Sequence, residues 1–112
     1  MAIAQSPFLN GVPELLVLRL LRDRDMYGYE IVQAIRDASG DVIGFAEGVI
    51  YPLLHGLERD GALITRRQTV NGRSRVYYSV TSRGADRLAA LAAQWHSLHH
   101  TISDILAEPR HA

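Results

Sequence analysis

The chain has 112 residues, a hydrophobic content of 47% and a formal net charge of zero from 12 basic and 12 acidic side chains. This length indicates one domain with a core small enough for oligomerisation to help. Cysteine is absent, which excludes disulfides, thiolate metal sites and cysteine nucleophiles and suits a cytoplasmic protein. There is no apolar run of membrane-spanning length and no visible signal peptide, so we expect no membrane association.

The neutral total conceals a segregation of charge along the chain. Residues 1–61 carry a net charge of −4, residues 62–84 carry +5 and residues 85–112 carry −1. The middle segment has five arginines and no acid, and all twelve basic residues of the chain are arginines. A neutral total argues against indiscriminate binding to polyanions, while the basic segment supplies a local surface for phosphate.

The first predicted helix follows an N-terminal arm, residues 1–10. Pro13 suits the first turn of this helix, which should run to about Arg22. The helix is apolar on nearly every side, with Leu15, Leu16, Val17, Leu18, Leu20 and Leu21. It therefore needs burial on more than one side, and we expect the last helix of a second subunit to supply part of it.

The second predicted helix runs from Met26 to about Ser39, with Asp25 as its N-cap and Gly40 after its end. Its inward stripe comprises Tyr27, Ile31, Ile35 and Ala38. Gly28 lowers helix propensity, which indicates a close approach of a neighbouring helix. The turn over 41–46 should be anchored by Phe45.

The third predicted helix starts near Gly48 and ends at Gly61. Pro52 is compatible with this helix only near its first turn. One buried stripe contains Ile50, Leu53, Leu54 and Leu57, and the opposite face contains Tyr51, His55, Glu58 and Arg59. This opposite face is polar enough to contact a ligand.

A basic hairpin is predicted immediately after that helix. Its strands cover Leu63–Val70 and Arg75–Val80, and Asn71-Gly72 forms the turn. Four arginines crowd the hairpin: Arg66, Arg67, Arg73 and Arg75. A helix with a polar outer face followed by a basic hairpin predicts a winged helix-turn-helix over residues 1–81, a mainly α fold with a small β-ribbon, whose helix enters the DNA major groove.

The last predicted helix covers residues 82–107, is capped by Thr81 and precedes a flexible tail at 108–112. Its large apolar residues follow spacings of three and four: Leu88, Leu91, Trp95, Leu98, Ile102 and Ile105. This heptad pattern is typical of helices that pair, so we predict a homodimer. Packing on the first helix of the same subunit is an alternative, and we expect both contacts.

Three blocks of sequence carry a family resemblance: MYGYEI at 26–31, EGVIYPLLHGLERDG at 47–61 and GRSRVYYSVTSRG at 72–84. In this order and spacing they resemble the PadR-like transcriptional regulators, and the single helix beyond them resembles the short subfamily. The resemblance implies a homodimeric repressor that small, often aromatic or phenolic, molecules release from DNA. Two positions depart from the pattern, because Val49 stands where Thr is frequent and Gly56 where a basic residue is common.

We predict that DNA is contacted by Gly48, Val49, Tyr51, Pro52, His55, Arg66, Arg73 and Arg75. Tyr51 and His55 would meet base edges and the sugar-phosphate backbone, and Gly48 would allow close approach. Arg73 and Arg75 would hold phosphate or the adjacent minor groove. The operator should be an inverted repeat in double-stranded DNA. A flat aromatic effector would stack between the Trp95 side chains of the two subunits, in a slot bordered by Leu91, Leu98 and the first helix, and ordinary packing of Trp95 in the seam is the alternative. No cofactor is expected.

Several other functions compete with DNA binding as interpretations of this sequence. His96, His100 and Asp104 share a helix face at metal-ligand spacing, but we interpret them as interfacial or solvated residues and predict no metal site. Motifs of nucleophilic or phosphate-transfer enzymes are absent, so we predict no catalysis. A protein-interaction module that docks on an acidic partner and a small-molecule carrier at the dimer seam remain as alternatives.

Overall fold

The structure, a computed structural model, describes residues 11–107, so the predicted arm at 1–10 and tail at 108–112 lie outside it. Four helices and three strands follow one another as α1 (Val12–Asp23), β1 (Met26–Tyr27), α2 (Gly28–Ala38), α3 (Glu47–Arg59), β2 (Leu63–Val70), β3 (Arg73–Val80) and α4 (Ser82–Leu106). This is a winged helix-turn-helix followed by one long helix. The predicted fold class is confirmed.

The wing is a three-stranded antiparallel sheet in the order β1-β3-β2. Asn71 and Gly72 have φ of 52° and 78°, which confirms the predicted hairpin turn. Pairing begins directly beside the turn at Val70 and Arg73, so β3 starts two residues before the predicted Arg75. Two of these strands were predicted from the sequence, and the third is β1.

The start of α2 differs from the prediction. Met26 and Tyr27 pair with β3 instead of opening the helix, so α2 begins at Gly28. The Glu30 carboxylate accepts a hydrogen bond from the Tyr27 N–H at 3.2 Å, so the backbone N–H of the residue before α2 has a partner. Asp25 is therefore not the N-cap, and its carboxylate pairs with Arg66 at 3.4 Å.

The core lies where α1, α2 and α3 meet the inner face of the sheet. Its largest fully buried side chains are Val17, Leu18, Ile31, Ile35, Ile50, Leu54 and Leu57. Phe45 is also buried, as predicted for the anchor of the turn between α2 and α3. Ala38 was predicted to face inward and is exposed, because it ends α2 beside the open grooves next to α1.

The first turns of α4 are fixed to the rest of the domain. The Thr81 hydroxyl accepts a hydrogen bond from the Gly84 N–H at 3.1 Å, which confirms the predicted N-cap. Gly84 lies so close to the Ala62 carbonyl that a Cβ would overlap that oxygen. Arg87 donates from Nε and Nη2 to both carboxylate oxygens of Glu14, at 3.1 and 2.9 Å. The far half of α4 extends away, and the described chain is 65 Å long.

Candidate nucleic-acid interface

The outer face of α3 is open to solvent. Gly48, Val49, Pro52 and His55 are exposed, in agreement with their predicted orientation. Pro52 lies inside the helix, and because it has no N–H it cannot hydrogen-bond the Gly48 carbonyl, as a residue four positions later in a helix normally does.

Tyr51 is turned further inward than its neighbours on α3 and is half-buried. Its ring lies over Gly28, where a Cβ would come within 2.5 Å of the Tyr51 Oη. Gly28 thus permits the close helix approach that the sequence indicated. Burial raises the pKa of Tyr51, and the charge of Glu47 and the neighbouring Tyr27 raise it further. The side chain therefore remains a neutral hydroxyl that can donate a hydrogen bond.

An aromatic pair on the outer face of the sheet separates two wing arginines. Tyr27 and Tyr77 meet edge to face, with ring centroids 5.5 Å apart. The Arg75 guanidinium lies 4.4 Å above the Tyr27 ring, and that of Arg66 lies 4.7 Å above the Tyr77 ring. Since Arg66 also pairs with Asp25, part of its charge is already offset within the protein.

The wing tip carries a different kind of arginine. Arg73 is exposed next to the turn, and its guanidinium forms no hydrogen bond or ion pair with another described residue. The Arg73 side chain can therefore reach backbone phosphates at different positions, whereas the Arg75 side chain is held in place on the Tyr27 ring.

One cleft joins α3 to the wing and has a volume of about 310 Å³. It is lined by Tyr27, Gly28, Tyr51, His55, Ser74, Arg75, Val76 and Tyr78. None of these residues is acidic. Of the predicted DNA-contacting residues, the cleft brings together Tyr51, His55 and Arg75. Tyr27 and Ser74 were not predicted from the sequence. Tyr27 reaches the cleft only because β1 pairs with β3, and Ser74 lies on β3, which was predicted to start at Arg75.

Comparison with known proteins identifies this arrangement. The model of the PadR-like family of transcriptional regulators matches residues 17–90, which include α2, α3 and the wing. The chain belongs to the PadR-like family. It is thus a transcriptional regulator with a DNA-binding winged helix-turn-helix and not an enzyme.

Several relatives are similar to this protein over almost the whole length of its chain. Transcriptional regulator Rv3488 of Mycobacterium tuberculosis is 29% identical over 104 residues, 93% of this chain and 92% of that protein. A PadR family regulator from Eggerthella lenta is 30% identical with a TM-score of 0.79, covering 91% of this chain and 88% of the other. A PadR-like regulator from Bacillus cereus is 26% identical with a TM-score of 0.81, covering 93% and 100%.

This PadR-like regulator has a second concavity, between α1 and α4. The groove has a volume of about 560 Å³ and is lined by Leu15, Leu16, Arg19, Arg22, Ala85, Leu88, Ala89, Ala92, Trp95 and His96. Trp95 stands at its edge, 42% exposed, and its ring stacks on His99 at 5.7 Å. Leu91 is partly buried and Leu98 is exposed; neither lines the groove.

The far half of α4 exposes the rest of the predicted seam. Leu88 is buried within the subunit, but Leu98, Ile102 and Ile105 are 54%, 45% and 75% exposed. His100 Nε2 lies 3.5 Å from the Asp104 carboxylate. Between residues 11 and 107 no three His, Asp or Glu side chains are placed to hold a metal ion, and no helix there is long and apolar enough to span a membrane.

Proposed function

We propose that this regulator is a homodimeric repressor that binds double-stranded DNA through α3 and the wing. The observation that carries the proposal is the cleft between them, because a helix face and a basic hairpin meet there without an acidic side chain. The field at such a surface attracts the DNA backbone. A protein that acts on DNA in this way would work in the cytoplasm.

In this proposal residues 1–81 form the DNA-binding domain and α4 forms the dimerisation helix. The exposed residues Gly48, Val49, Pro52 and His55 would enter the major groove. Arg73 would hold the backbone from the wing tip. Arg66 would contribute less than the other wing arginines, since Asp25 offsets its charge.

The far half of α4 supports the homodimer. Residues 11–107 leave an apolar stripe exposed along it: Trp95, Leu98, Ile102 and Ile105. A contiguous apolar stripe on a helix is stabilised by a partner. A second copy offers the same stripe, so pairing about a two-fold axis buries both.

We further propose that a flat aromatic molecule releases the repressor from DNA. The groove between α1 and α4 is mainly apolar and ends at Trp95, so it offers a surface for stacking. A ligand bound there would favour the dimer form in which the reading helices cannot span both half-sites. If a Trp95→Ala dimer is released by the same compound at the same concentration, this part of the proposal is wrong.

The function is tested by the salt dependence of duplex binding. The logarithm of the binding constant should fall steeply with the logarithm of salt concentration, and Arg73→Gln should reduce that slope by about 1. Arg22→Gln is the matched control, because this exposed arginine lies on α1. Binding that ignores salt, or no duplex binding at all, would favour an acidic protein partner or a small-molecule carrier.

A further inference from the structure

The cleft between α3 and the wing owes its shape to the shortness of β1. This strand pairs only with Tyr77 and Tyr78, so β3 continues past it from Arg73 to Val76 with an unpaired edge. The side chains of α3 stand across that edge and close the opposite wall. The resulting space is bounded by a helix on one side and a strand edge on the other.

Three hydrogen-bond donors of the cleft have no hydrogen-bond partner among residues 11–107. Neither the Tyr51 hydroxyl, the His55 imidazole nor the Arg75 guanidinium forms a hydrogen bond or ion pair with another described residue. Tyr51 and His55 stand one helical turn apart, with ring centroids at 6.5 Å. Partnerless donors of this kind around one cavity are suited to an oxyanion.

Two of these donors are held in position by the residues where β1 meets α2. The Arg75 guanidinium packs on the Tyr27 ring. The Tyr51 ring occupies space that a side chain at position 28 would fill, so only glycine there leaves room for it. Adjacent residues thus orient one donor from the wing and one from α3. A site whose donors are already oriented loses less conformational entropy when its ligand binds.

We propose that the cleft binds one phosphodiester group of the DNA backbone, held jointly by Tyr51 from α3 and Arg75 from the wing. The inference rests on the proposed function and assigns a contact within it. Tyr51 is then a phosphate contact, and sequence preference depends on the exposed residues of α3. Tyr27 and Gly28 are positioning residues, because they act through Arg75 and Tyr51.

The test uses methylphosphonate duplexes, in which single backbone phosphates are replaced by a neutral group, built on a sequence selected from random DNA. One position in each half-site should weaken binding of the unaltered protein by about tenfold, the effect of losing a hydrogen bond to a charged group. With Tyr51→Phe or Arg75→Gln, the modified phosphate should cost clearly less affinity, because only one of the two donors remains to lose its contact. Such a loss of sensitivity to the modified phosphate would show that the substituted side chain contacts that phosphate.

Matched variants separate this contact from general loss of charge. Tyr29→Phe removes an exposed hydroxyl on α2 outside the cleft, and Arg73→Gln removes a wing charge outside it. Both should keep the full sensitivity to the modified phosphate. If Tyr51→Phe and Arg75→Gln keep it as well, the cleft does not hold a phosphate.

Other outcomes would overturn the inference in distinguishable ways. A changed preferred sequence for Tyr51→Phe would show that Tyr51 reads bases. Inorganic phosphate titrated without DNA and followed by the ring NMR signals of His55 should show no submillimolar saturation, and saturation would indicate a free-anion site instead. Failure of the unaltered protein to bind any duplex would refute the proposed function together with this contact.

Discussion

Replacing Gly28 by alanine should damage the DNA interface while leaving the fold intact. The new Cβ would stand 2.5 Å from the Tyr51 Oη, whereas ordinary contact begins at 3.4 Å. The ring therefore has to move by roughly 1 Å, the kind of shift that overpacking forces. Tyr51 is half-buried and the overlapping atoms are at the far end of its side chain, so it can swing toward solvent.

The substitution should change the free energy of unfolding little and the affinity for DNA strongly. Alanine favours a helix over glycine by up to about 1 kcal/mol, which offsets the cost of moving the ring. We expect the free energy of unfolding to stay within about 1 kcal/mol of the original, and duplex affinity to fall about tenfold through the displaced hydroxyl. Chemical denaturation and fluorescence anisotropy with a labelled duplex measure the two quantities.

A double-mutant cycle with Tyr51→Phe isolates the cause. Once the hydroxyl is absent, Gly28→Ala should cost little further affinity, because both changes remove the same contact. The reasoning is refuted if Gly28→Ala binds DNA as the original does. It is equally refuted if the affinity losses of the two substitutions simply add.

Three further substitutions test other parts of the fold. Gly84→Ala should lower the free energy of unfolding by at least about 2 kcal/mol in denaturant titrations, because the new Cβ meets a backbone carbonyl that cannot swing away. Arg87→Gln, which deprives Glu14 of a partly exposed ion pair, should lower Tm by roughly 4–8 °C; an unchanged Tm in calorimetry would contradict this. Ile102→Glu should raise the Kd of the dimer in ultracentrifugation at least about a hundredfold, since it buries an unpaired charge, whereas Ser103→Glu on the neighbouring face should not.

Local sequence signals were sufficient for much of the framework. The Asn71-Gly72 turn needs positive φ at both residues, and the Thr81 cap needs only a hydroxyl before a helix, so both could be predicted from short segments. The heptad spacing likewise placed one continuous helix over most of residues 82–107.

The start of α2 could not be predicted in the same way. Met26 and Tyr27 follow a plausible cap and have no local reason to leave the helix. They become a strand because β3, far along the chain, offers them an edge. That pairing also brings Tyr27 beneath Arg75, and therefore the composition of the cleft depended on the same long-range contact.

The orientation of the Tyr51 side chain also could not be predicted from the sequence of α3 alone. Its helix position puts it beside His55 on the polar face, which predicts an exposed side chain. The ring instead lies over Gly28, and only the packing of α2 on α3 reveals that this place is free.

Selection of binding sequences from random duplex DNA tests the central claim most directly. A homodimer that reads with two copies of α3 should enrich an inverted repeat, with half-site centres separated by one helical turn of about 34 Å. Recovery of a single asymmetric half-site bound by one subunit, or no enrichment of any sequence, would contradict the claim.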